Sequence, residues 1–164
     1  MIKHKDRKIR KYGVCLILNC LIAFFCNAQQ QESDMLLKMM PEIPDEMKEP
    51  SQRAGYLITH YWDKYDFNDT SFLMKDNLLE RSFVDYLDLL SLVPEDIRDH
   101  SIGMLMKKVE DKKEIFLFIS GLNEQYLYNP DSPVYDEEKY IPFLQQELKS
   151  LLLNETEKIR PKFL

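Results

Sequence analysis

The chain carries three cysteines in 164 residues, and none lies beyond Cys26. Everything from Asn27 onward is without a thiol, which excludes disulfides, thiolate metal sites and thiol-disulfide exchange from that stretch. Histidine is nearly as scarce, with His60 and His100 the two that follow the N-terminal segment. Two histidines without cysteine fall short of the three or four ligands that a zinc site uses, and no H-E-x-x-H occurs. Of four glycines, Gly55, Gly103 and Gly121 stand singly inside helical patterns, so none belongs to a loop that cradles phosphate. No serine sits in a G-x-S-x-G turn. No apolar run reaches the ~20 residues needed to span a bilayer.

What is present starts with a basic segment, Lys3, Lys5, Arg7, Lys8, Arg10 and Lys11, followed by an apolar run from Val14 to Phe25. Small residues around Cys26-Asn27-Ala28 precede a polar shift at Gln29, the layout of a secretory signal over residues 1–28. Soluble export is favoured over a lipid-modified cysteine, because Leu18-Asn19 and Phe24-Phe25 put bulky residues before Cys20 and Cys26. Removal of the signal takes away six basic residues and one acid. That leaves 16 basic against 27 acidic residues and a net charge of −11. Such a surface disfavours nucleic acid and anionic membranes as partners. Residues 29–49, with Pro41, Pro44 and the apolar knot Met35-Leu36-Leu37 and Met39-Met40, read as a flexible leader able to dock partly on a core.

Residues 50–164 read as an all-α domain, a compact bundle of five main helices plus a truncated sixth. The first starts at Pro50, whose missing N–H costs nothing at the first helical position. Ala54, Leu57, Ile58, Tyr61, Trp62 and Tyr65 form its stripe. Asp66 to Ser71 is a run of turn formers. A second helix starts near Asp76 or Asn77 and is apolar over so much of its circumference (Leu79, Phe83, Tyr86, Leu87, Leu90) that it belongs at the centre. The third begins at Pro94 and runs to about Asp111, with Glu95 and Asp96 facing the positive end of its dipole. The fourth covers 113–127 with Ile115, Phe116, Ile119, Leu122 and Tyr126 inward. Tyr128 to Pro133 is a loop. Asp136 caps a fifth helix with Ile141, Leu144, Leu148 and Leu151 on its stripe, and Asn154 with Glu157 forms a capping box for the sixth.

Candidate chemistry is thin. Trp62 with Tyr61 and Tyr65 could stack a sugar or a partner aromatic, but their place on one helical stripe favours a core. Asp63, Asp66, Asn68 and Asp69 resemble a calcium loop, but the EF-hand needs Gly at its sixth position and Glu at its twelfth, where Ser71 and Asn77 stand. Turn and helix capping accounts for these acids, as it does for Asp136-Glu137-Glu138. His60 and His100 are expected on solvent-facing sides of their helices. No catalytic residue, cofactor or metal is expected.

Several blocks read together resemble a known family: Ala54-Gly55-Tyr56-Leu57 with His60-Tyr61-Trp62-Asp63 and Tyr65-Asp66-Phe67; Phe83-Val84-Asp85-Tyr86-Leu87-Asp88-Leu89-Leu90; Val93-Pro94-Glu95; Tyr126-Leu127-Tyr128-Asn129-Pro130-Asp131-Ser132-Pro133; Tyr140-Ile141-Pro142; and Glu157-Lys158-Ile159-Arg160-Pro161. Their order and spacing resemble a helical domain of unknown function that precedes a thioredoxin-like domain, of the thiol-disulfide oxidoreductase type, in exported proteins of Gram-negative anaerobes. The resemblance implies a periplasmic location and a non-catalytic accessory role beside a thioredoxin-like domain, supplied in cis or in trans. It carries no redox residue onto this chain, which has no C-x-x-C and stops four residues beyond Arg160. A fragment or stand-alone form lacking the redox domain is therefore expected. Phe163 and Leu164, uncovered at a barely started helix, suggest further chain or a docking partner. The alternative is an independent periplasmic binding protein that holds a small ligand or peptide through Tyr61, Trp62, Tyr65, Tyr128 and Asp131.

Overall fold

A computed structural model describes residues 36–163. The signal-like segment lies outside the described residues. The chain divides into a unit Met1–Lys38, of which 36–38 are described and helical, and a unit Met39–Leu164 that contains everything below.

From Pro50 onward the described residues form seven α-helices: α1 (Pro50–His60), α2 (Thr70–Met74), α3 (Leu78–Leu90), α4 (Glu95–Lys108), α5 (Lys113–Asn123), α6 (Glu137–Lys149) and α7 (Ile159–Phe163). Five are eleven residues or longer, and no strand occurs among the described residues. The expected all-α bundle of five main helices with a stub of a sixth is the observed fold, with the short α2 as an addition.

Helix α3 occupies the centre. Leu78, Leu79, Phe83, Tyr86, Leu87 and Leu90 are all buried on it. Around it, α4 packs on α1 and α6, and α5 packs on both α3 and α6. Phe83 meets Phe143 of α6 with ring centroids 5.7 Å apart. Met39 and Met40 pack against this core.

Local signals explain most of the boundaries. Pro50 opens α1. Asp136 caps α6 by accepting from the backbone N–H of Lys139 at 3.1 Å. The capping box forms as well: the N–H groups of Thr156 and Glu157 donate to Asn154 Oδ1, and Glu157 Oε2 accepts from the Asn154 N–H.

Elsewhere the structure departs from the pattern. The first helix stops at His60 rather than running to Tyr65. Asp63 and Tyr65 donate three residues back, to His60 and Trp62, and an Asx turn at Asp66 then leads the backbone away. Within the expected turn, Thr70–Met74 forms α2, and a 3₁₀ turn at Lys75–Asn77 joins it to α3. Asn77 does precede α3, but with φ of 55° and no side-chain cap, so its contribution is tolerance of the left-handed conformation. Pro94 flanks α4 as its cap residue instead of standing first within it. The fourth expected helix ends as α5 at Asn123 and continues as a π-helical turn, Glu124–Tyr128. On α6 the buried face is Tyr140, Phe143, Leu144 and Glu147, while Ile141 is half exposed and Leu151 lies beyond the helix, fully exposed. Two large aromatic rings outweigh the aliphatic stripe and set the helix rotation.

Candidate functional site

The aromatic residues around the end of α1 are assembled by a buried polar frame. Ser82 of α3 donates through Oγ to the Leu78 carbonyl at 2.7 Å and accepts from the Tyr65 hydroxyl at 2.8 Å. The Tyr61 hydroxyl donates to the Ser82 carbonyl at 3.0 Å. Ser101 of α4 gives its single proton to the Ile58 carbonyl at 2.8 Å, so the Tyr86 hydroxyl, also at 2.8 Å, must donate to Ser101 Oγ. Two serines thereby tie α1, α3 and α4 together. Burial raises the phenol pKa of both Tyr61 and Tyr86, with the neighbouring Tyr65 and Asp85 adding to the rise at Tyr61. Trp62 stands at the middle of this cluster, edge-on to Tyr61, Tyr65 and Tyr86 at 4.9, 4.7 and 5.2 Å.

These rings are core. Tyr61 and Trp62 are each 2% exposed and Tyr65 7%, so none presents an open face for stacking. The remaining two candidates lie elsewhere and do not join them. Tyr128, half-buried at the end of the π-helical turn, stacks on Tyr140 at 5.2 Å. Asp131 is exposed in the following loop, where its N–H donates to Asn129 Oδ1. The acids read against a calcium loop are each engaged locally. Asp66 holds Asn68, Asp69 holds Ser71, and Asp63 pairs with His60 and Lys108. Among the described residues no three His, Cys, Asp or Glu side chains are grouped as metal ligands.

The surface between α1 and α4 contains a groove of about 560 Å³, lined by Met47, Ser51, Tyr56, His60, Ile97 and His100 among others. That volume lies in the range of small-ligand sites. Asp63 holds the His60 ring from one side, Oδ2 to Nδ1 at 2.7 Å, and takes Lys108 Nζ on its other oxygen at 3.1 Å. Partial burial raises the Asp63 pKa, but the hydrogen bonds from His60 and Lys108 outweigh it and the net shift is downward. Tyr56 lies against the same ring at 4.3 Å. Thr59 offers no free nucleophile, because its hydroxyl donates to the Gly55 carbonyl at 2.8 Å. The groove therefore presents imidazole hydrogen bonding and apolar contact. His60 and His100, forty residues apart, meet on its wall only because α1 packs on α4. No periodicity within either helix could have paired them.

A family model described as "Domain of unknown function (DUF5106)" matches residues 25–164. The chain belongs to the DUF5106 family. No curated protein matches it. Among solved structures, a thioredoxin-like protein from Bacteroides caccae ATCC 43185 is similar, at 40% sequence identity with a TM-score of 0.71. The match covers 75% of this chain and 44% of that one, so the chain spans less than half the length of the Bacteroides protein. The DUF5106 fold described here thus has a relative in which a helical segment of this kind is one part of a larger thioredoxin-like protein.

Proposed function

We propose that this DUF5106 chain is a non-catalytic helical accessory module that works beside a thioredoxin-like domain, in cis or in trans, in an exported, periplasmic protein. One observation carries the reading: a protein called thioredoxin-like is 40% identical over a match that takes up 44% of its length. Most of that protein lies outside the match and is free to supply the redox chemistry. The present chain does not supply it, since thiol-disulfide exchange requires a thiolate and no cysteine follows Cys26. The interior agrees with a scaffold, because its aromatics and serines are spent on joining three helices.

Two measurements test the two halves of this reading. In an insulin-reduction assay residues 29–164 should run at the buffer rate, with a thioredoxin as positive control; turnover by this cysteine-free stretch would overturn the non-catalytic role. In sedimentation velocity the chain should co-migrate with the separately produced, folded part of the Bacteroides protein that lies outside the match. Independent migration at millimolar concentration would overturn the accessory role, because tethered domains meet at about that effective concentration.

A further inference from the structure

The His60 imidazole is held by a carboxylate on one nitrogen and open on the other. Asp63 Oδ2 lies 2.7 Å from Nδ1, and an ionised carboxylate can only accept, so Nδ1 carries the proton. The Nε2 lone pair is left for the groove between α1 and α4, whose wall includes His60. Histidines that ligate metals are oriented in the same way, through a carboxylate on the second ring nitrogen. His100 lines the same groove from α4. One turn further along α4, Met104 shares the face of His100, and after one more turn Lys108 reaches Asp63 at 3.1 Å. Met104 thus stands midway between two residues that both face the end of α1. The buried bond from Ser101 Oγ to the Ile58 carbonyl, at 2.8 Å, fixes the two helices at this level. His60 and Met104 are half-buried and His100 is exposed, so the three are open to an ion from solvent.

We propose that His60, His100 and Met104 form a binding site for copper(I). Donor chemistry selects the ion. Imidazole suits copper and zinc alike, but a thioether in place of a further imidazole or carboxylate selects the soft copper(I) over zinc. Among the described residues no three His, Cys, Asp or Glu side chains are grouped as ligands, which argues against the harder divalent ions. Charge points the same way. The Lys108 ammonium on the second oxygen of Asp63 repels a dication more than a monocation. The site needs no second chain, so it stands apart from the accessory reading.

The test is an anaerobic titration of copper(I) in competition with a chromophoric chelator, with zinc(II) titrated in parallel. Every protein is the full chain carrying Cys15→Ser, Cys20→Ser and Cys26→Ser, because thiolates bind copper(I) by themselves. This background should hold one copper(I), more tightly than zinc(II). Asp63→Asn, which acts only by orienting His60, should weaken copper(I) about 10–100-fold. His60→Gln, His100→Gln and Met104→Leu should each cost at least as much. Circular dichroism of the metal-free variants should match the background, since none of these side chains is fully buried. In the copper X-ray absorption spectrum, Met104→Leu should remove the sulfur shell. Absence of copper(I) binding by the background would overturn the proposal. So would equal affinity in all the variants, zinc(II) held as tightly as copper(I), or a sulfur shell that survives Met104→Leu.

Discussion

Replacing Trp62 by alanine should remove a large part of the stability of this domain. The indole is 2% exposed and lies edge-on to three tyrosine rings at 4.7–5.2 Å. An aromatic of this size buries up to ~250 Å², and at ~25 cal/mol per Å² that sets an upper bound of ~6 kcal/mol. Truncations of buried aromatics to alanine cost about 3–5 kcal/mol, and the two figures agree. Against a total stability of about 5–15 kcal/mol, the variant should be marginal. The chain has one tryptophan, so the substitution removes the fluorescence probe, and unfolding in urea should be followed by circular dichroism. Trp62→Phe, which keeps one ring in place, should lose less than half as much. A loss below ~1 kcal/mol for Trp62→Ala would refute the placement of this residue in the core and restore it as a surface contact.

Three further outcomes follow from particular contacts. Asp136→Ala should cost about 1 kcal/mol in urea denaturation, the worth of the N-cap of α6. Asn77→Val should cost about 1–2 kcal/mol because a β-branched residue resists φ of 55°, while Asn77→Gly should be close to neutral, as their unfolding midpoints would show. Asp63→Asn should lose under ~1 kcal/mol at neutral pH, since the pair is largely exposed. The folded pKa of Asp63 lies below its ordinary 3.8, so its contribution is present above that value and fades as pH falls through the folded pKa. Urea midpoints of wild type and variant should therefore converge as pH falls below 4; a gap that persisted there would exclude the carboxylate as its source.

Signals that act within one helix were legible from residue order. The apolar breadth of Leu78–Leu90 marked the central helix, and Asp136, Asn154 and Glu157 marked caps through short-range chemistry that the fold preserves. Features decided between helices were not legible. The early end of α1 at His60 depends on turn hydrogen bonds and on Ser82, reached from Tyr61 and Tyr65 across the core. The rotation of α6 depends on Phe143 finding Phe83. The π-helical turn accompanies Tyr126 donating to Glu80 of α3 and Tyr128 stacking on Tyr140. Helical spacing at Tyr61, Trp62 and Tyr65 favoured a core over a binding face, and their burial bears that out. The groove between α1 and α4 depends likewise on helix packing, with His60 and His100 on its wall.

Whether this chain serves a thioredoxin-like domain is tested most directly by calorimetric titration with the folded remainder of the Bacteroides protein. A saturable one-to-one association, with Kd between about 1 μM and 1 mM, is the predicted result. No heat of binding up to millimolar concentration, with both components folded, would contradict an accessory role.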